Sequence, residues 1–96
     1  MKQAQVTSNE IPSTSVFGVK ANPNPYSDIF NLTVTTSSEE KVGIRVYDMI
    51  GRLIEQRDVR PSDIDGLQMG IGYPTGVYNI VLSQGTDVKA LRVVKR

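Results

Sequence analysis

The 96-residue chain has no cysteine and no histidine. Without cysteine there is no disulfide to staple the fold and no thiolate to serve as nucleophile or metal ligand. Without histidine the commonest general base and the commonest transition-metal ligand are both missing, and the many serines have no partner for a Ser–His triad. Charge of one sign is missing as well. Eleven Lys+Arg against ten Asp+Glu leave a net charge of +1, whereas a general nucleic-acid binder shows a clear basic excess. No run approaches the roughly 18 consecutive apolar residues of a membrane-spanning helix. The opening stretch "MKQAQVTSNEIPSTS" lacks the apolar core of about 7–15 residues that marks a signal peptide. This does not place the chain in the cytoplasm, because a segment of this length can be cut from a longer exported protein.

What remains is the composition of one small domain. At this size folding buries only about 60–65% of the surface of the unfolded chain, so the core must be economical. Residues 1–15 are polar, show no period of 2 or 3.6, and read as a linker; the domain spans residues 16–96. From Phe17 onward, short β-type runs alternate with turn signals. Strands are expected at Val16–Ala21, Phe30–Thr36, Val42–Tyr47, Leu53–Val59, Leu67–Gly70, Val77–Ser83 and Val88–Val94. Short strands separated by turns at this spacing predict an all-β antiparallel sandwich. Phe30, Leu32 and Val34 fall on one face, as do Val42, Ile44 and Val46, while polar residues occupy most of the alternate positions. Tyr78, Ile80 and Leu82 share a face, but Val77 and Val81 make the opposite face apolar too, which predicts a central strand. The last run changes phase between Val88/Ala90 and Leu91/Val93, consistent with a bulge or an edge position.

The turn residues are explicit. Gly51 in "YDMIGRLI" and Gly85 in "LSQGTDV" sit where hairpins commonly need a positive φ. "SSEEK" (37–41) reads as a polar hairpin tip, and "VRPSDIDG" (59–66) holds at most one helical turn, with Pro61 at its start. "NPNP" (22–25) places two prolines between the first two strands. Proline cannot donate to a β ladder and pushes the preceding residue out of the α region, so this stretch predicts a stiff, extended crossover from one sheet to the other. The candidates for chemistry fall short. Asp63 and Asp65 in "SDIDG" lack the closing glutamate of a calcium loop, "NLT" at Asn31 matches a glycosylation sequon but lies within a strand, and "GIGYPTG" lacks the Lys-Ser/Thr of a phosphate loop. No catalytic residue, cofactor site or metal site is expected. The final ten residues carry four cations, Lys89, Arg92, Lys95 and Arg96, against Asp87 alone. Taken alone, such a strand reads as a charged edge that discourages aggregation.

In sequence order, Pro23-Asn24-Pro25 followed by Phe30-x-Leu32, then "VYDMIGRLI" with Asp48, Gly51 and Arg52, then "PTGVYNIVL" with Gly76 and Tyr78, and last the basic "ALRVVKR" resemble the C-terminal sorting domain, type A, of the Bacteroidetes type IX secretion system. The resemblance spans Phe17 to Arg96; it departs at Ile71–Pro74, where the family has a plainer approach to the glycine. It implies an Ig-like sandwich of about seven strands at the end of a larger secreted cargo. Pro23, Asn24, Pro25, Asp48, Gly51, Arg52, Gly76 and Tyr78 would be the sorting motif. Lys89, Leu91, Arg92, Val93, Val94, Lys95 and Arg96 would be read by the translocon, on an edge strand whose open N–H and C=O groups suit strand addition by a partner. The implied partners are an outer-membrane shuttle barrel, the translocon and a sortase-like peptidase that cuts within residues 1–15. The implied route is through the periplasm to the cell surface or beyond, without insertion of the domain into the membrane. The domain would be the ligand and substrate of this process, and its edge strands leave a dimer open. The alternative, a cell-surface Ig-like adhesion or carbohydrate-binding module, requires an exposed platform drawn from two Phe and four Tyr residues.

Overall fold

The computed structural model describes residues 16–96; the linker assigned to residues 1–15 lies outside them. Seven strands and one helical turn follow in order. They are β1 (Phe17–Asn22), β2 (Phe30–Thr36), β3 (Val42–Tyr47), β4 (Leu53–Val59), α1 (Pro61–Ile64), β5 (Leu67–Met69), β6 (Gly76–Gln84) and β7 (Asp87–Lys95). One antiparallel sheet has the order β1-β2-β5 and the other β4-β3-β6-β7. The structure is thus an all-β two-sheet sandwich, and each expected strand is present to within a residue or two. β6 is central, between β3 and β7. β7 is an edge strand and pairs with β6 without a register shift, so its change of phase reflects the edge position and not a bulge. The observed bulge lies in the β3–β4 pairing, where the register shifts between Val46 and Tyr47.

Two connections differ from the sequence-based expectation. Residues 23–29 join β1 to β2, which are neighbours in the same sheet. "NPNP" is therefore a loop within one sheet and not an extended crossover; both its Asn–Pro bonds are cis. The first crossover is "SSEEK", read from sequence as a hairpin tip, which carries the chain from β2 in one sheet to β3 in the other. No proline is needed there because Gln84 holds the loop. Its Nε2 donates to the Ser38 and Glu40 carbonyls at 3.2 and 2.8 Å, and its Oε1 accepts from the Thr36 hydroxyl at 2.5 Å. Gln84 is buried at the end of β6, and these three bonds offset the cost of placing an amide there.

The core lies between the sheets. Phe30, Leu32, Val42, Ile44, Val46, Ile80 and Leu82 are fully enclosed, and Tyr78 nearly so. Val34, expected with them, is half-buried and packs against the cluster from its margin. Tyr26, Ile64, Met69, Tyr73, Val93 and, at the chain's entry, Phe17 complete the core. None of the first four belongs to a period-2 run long enough to announce its face. Tyr26 lies in the proline loop, Ile64 in the single turn of α1, and Tyr73 in the connection before β6. Tyr26 stacks edge-on against Phe30 with ring centres 5.0 Å apart, and its hydroxyl donates to the Gly70 carbonyl at 3.2 Å. Gly70 has φ +87°, and a Cβ there would lie 2.6 Å from the Tyr26 hydroxyl oxygen, so the glycine is required by both backbone and packing.

Candidate functional site

The two ends of the sandwich differ. The chain enters at Phe17, opposite Thr36, at the end that also carries the β6–β7 hairpin, with Gln84 opposite Asp87. At the far end lie the β1–β2 loop, the β3–β4 turn, the approach to β6 and the last residues of β7. Every residue of the expected sorting motif is at or beside this distal end.

The β3–β4 turn is built by Asp48. Its Oδ1 accepts from the Ile50 and Arg52 amides at 3.0 and 2.9 Å, and its Oδ2 from Arg52 Nε at 2.8 Å. Gly51, at φ +86°, closes the turn by donating to the Asp48 carbonyl at 3.0 Å. The Arg52 amide, followed by the other donors, holds the Asp48 carboxyl below its ordinary range. The shared pattern of Asp, Gly and Arg is thus the chemistry of a tight turn. Facing it, Tyr78 turns its hydroxyl back to the Pro74 carbonyl at 2.6 Å and so fixes the entry to β6, an arrangement akin to the tyrosine corner of Ig-like domains. Tyr73 packs on Tyr78 with ring centres 4.9 Å apart and donates to Glu55 at 2.5 Å. Burial, then the bond to Glu55, pushes the Tyr73 phenol well above its usual range. Burial, with Tyr78 and Glu55 nearby, pushes Tyr26 up to about 12.

The proline loop lies along the free edge of β7. Asn24 uses its side-chain amide as a surrogate peptide group, with Nδ2 donating to the Arg92 carbonyl at 2.8 Å and Oδ1 accepting from the Val94 amide at 2.9 Å. The backbone of Tyr26 continues the row. Its N–H donates to the Val94 carbonyl at 2.8 Å, and its carbonyl accepts from the Arg96 amide at 2.9 Å. Pro23 and Pro25 flank Asn24 and are exposed. The structure therefore joins the first and last of the sequence motifs directly. It also alters the expected recognition edge, because from Arg92 to Arg96 the outer row of β7 is occupied by its own chain. Of the expected recognition residues, Val93 is wholly buried and Leu91 is partly buried against the core. Lys89, Arg92 and Arg96 are exposed, and Val94 and Lys95 are half-buried. The Lys95 ammonium lies 5.9 Å from the centre of the Tyr26 ring.

A groove of about 300 Å³ opens between the β3–β4 turn and the approach to β6. Four of the motif residues, Asp48, Arg52, Gly76 and Tyr78, line it together with Met49, Ile50, Ile54 and Val77. Met49 and Ile50 are 64% and 77% exposed. Sequence reading missed this groove, and the adjacent apolar pair at a turn tip was its one available signal. An aromatic platform of the kind a carbohydrate-binding module needs is not formed. Phe17, Tyr26, Phe30, Tyr73 and Tyr78 are buried, and Tyr47 is half-buried. Among the described residues no group of three or more acidic, cysteine or histidine side chains is placed to hold a metal ion, and no helix is long and apolar enough to cross a membrane.

No curated protein sequence matches the chain. Among solved structures the fold is similar to part of the crystal structure of dimeric latent PorU from Porphyromonas gingivalis, with a TM-score of 0.60 and 19% sequence identity over 96% of this chain. The match covers 10% of that protein's chain, and at this identity the likeness extends to the fold alone. The sequence pattern is matched independently of the fold. The model of the secretion system C-terminal sorting domain covers residues 20–96, the span holding all four motifs that meet at the distal end, and the chain belongs to that family.

Proposed function

We propose that this domain is a sorting signal read from its distal end while a cargo is attached at the opposite end. The reading rests on one observation: the motif residues of four separate segments converge at the end away from Phe17. A receptor can then engage that end without meeting the cargo. In this reading an outer-membrane shuttle barrel and the type IX translocon recognise the domain in the periplasm. A sortase-like peptidase then cuts within residues 1–15 at the cell surface. The domain catalyses nothing itself. The most exposed contributors are Arg92, Arg96 and the loop of Pro23, Asn24 and Pro25.

Export of a reporter fused ahead of residues 1–96, in a cell with type IX machinery, tests this. The full domain should bring the reporter to the surface. Deleting Val93–Arg96 is a poor probe, because Val93 is wholly buried and its loss should unfold the domain. Lys95→Ala with Arg96→Ala is cleaner. Arg96 is exposed, Lys95 is half-buried, and neither forms an ion pair among the described residues. Surface charges of this kind typically contribute about 1 kcal/mol or less to stability. Reporter held in the periplasm by this folded double variant supports direct reading of the basic end. Normal export by the double variant leaves those charges as edge protection. Failure of the intact domain to export the reporter overturns the sorting reading.

A further inference from the structure

The outer face of the four-stranded sheet carries Arg45 and Arg92, with Asp58 opposite Gly43 on the same face. Strand register places Arg45 opposite Val81, and Tyr47 and Arg92 on either side of Asn79, so these side chains share the face turned away from the core. Val77 and Val94 form the next pair toward the distal end. Arg52 lies at the groove with its side chain 73% exposed. Asp48, which also lines the groove, pairs with the Arg52 side chain and accepts from the Ile50 and Arg52 amides, so the charges of Asp48 and Arg52 offset each other. Arg45, Arg92 and Arg96 are exposed, and no ion pair forms at any of them among the described residues. Planar guanidinium groups suit carboxylates because they donate two parallel hydrogen bonds. At the turn and the start of β4, Met49, Ile50, Leu53 and Ile54 are all 40% exposed or more. The turn is held by Asp48 and Gly51, so it does not require the apolar pair at its tip. An apolar cleft with an exposed guanidinium, that of Arg92, on the strand beside Val77 is the complement of an apolar side chain followed by a carboxylate.

Strand addition is the less suitable mode of binding. The distal half of the β7 edge is filled by Asn24 and Tyr26. The other edge, β4, carries the bulge near Leu53 and sets Glu55 and Arg57 opposite the inward-facing Val46 and Ile44. Bulges and inward charges are devices that discourage edge pairing.

We propose that the distal groove receives a loop of a partner protein, which inserts one apolar side chain beside Met49, Ile54 and Val77 and sets a carboxylate against Arg92. This rests on the sorting reading and names the chemistry of its receptor. Two measurements test it. In the first, the isotope-labelled full chain is titrated with the peptide Glu-Glu-Leu-Glu-Glu and, separately, with Lys-Lys-Leu-Lys-Lys. Amide shifts should appear at Met49–Ile54 and Gly76–Tyr78 with the acidic peptide only, and Arg92→Glu should weaken them by about tenfold. In the second, Met49→Ser with Ile50→Ser, and Arg92→Glu alone, are placed in the reporter fusion. Each should lower surface display by about tenfold with the melting temperature little changed, since exposed substitutions typically act within about 0.5 kcal/mol.

Equal response to both peptides, or shifts away from the groove, overturns the proposal. So does normal export by both variants while the unaltered domain exports, a result that leaves the sorting reading standing. Failure of the unaltered domain overturns the sorting reading instead. A full chain that sediments as a dimer, with the serine variant monomeric, assigns the groove to a second copy and overturns the acidic partner.

Discussion

Gly70 shows how one residue can tie three segments together. Its φ is +87°, and an added Cβ would lie 2.6 Å from the Tyr26 hydroxyl oxygen and 2.8 Å from Phe30 Cε1. Gly70→Ala should therefore destabilise by about 2–4 kcal/mol, combining overpacking with left-handed backbone strain, as read from the urea midpoint. Tyr26 gives a prediction in pH. Its folded pKa is raised to about 12 from an ordinary 10.0, chiefly by burial. The folded state then holds a proton that the unfolded state releases, so this contribution is complete below the ordinary value and is lost as pH rises through the raised one. Thermal stability should fall between about pH 10 and pH 12, and Tyr26→Phe should flatten that fall. Tyr73, shifted in the same direction, will keep part of the slope in the variant. An identical slope in Tyr26→Phe would contradict the assignment.

Among the elements, the association of the proline loop with β7 carries the most consequence. Asn24 supplies two of the four hydrogen bonds along that edge. Asn24→Ala should cost about 1–3 kcal/mol, because the Arg92 carbonyl and Val94 amide each lose a partner but can still find water. The specific readout is amide hydrogen exchange. Val94 and Arg96 should lose protection, while Ile80 in the middle of β6 retains it. Equal protection in both proteins would mean that the loop does not hold the edge.

Taken as a whole, the molecule stakes its stability on one inter-sheet core. Ile44 is wholly buried on β3, with β4 on one side and β6 on the other. Ile44→Asp places an unpaired carboxylate between the sheets, at a cost of several kcal/mol. A small domain has only about 5–15 kcal/mol in hand, so the variant should be largely unfolded at ambient temperature by circular dichroism. An unchanged melting temperature would refute the sandwich core. Because the distal face is assembled from four segments, export should fail together with folding in this variant. In Arg92→Glu the two should separate.

Seven strands, the inward faces of β2, β3 and β6, the Gly51 turn and the single turn at Pro61 were legible in the residues alone. The reason is local: the pleat sends alternate side chains to opposite faces, and proline and glycine restrict φ wherever they stand. The four motifs and their order, and with them the sorting family, could also be read along the chain. Their meeting at one end could not, because it depends on strand order between residues as distant as Asn24 and Val94. "NPNP" makes the point. Its prolines correctly announced a break in the ladder, but that property fits a crossover and a loop equally well. Only the packed structure shows that Asn24 and Tyr26 complete the edge of the final strand. The same holds for Val93, whose neighbours Arg92 and Val94 face outward while it fills the core. Burial at an edge strand is decided by what the opposite sheet places beneath it, and that is a property of the tertiary structure.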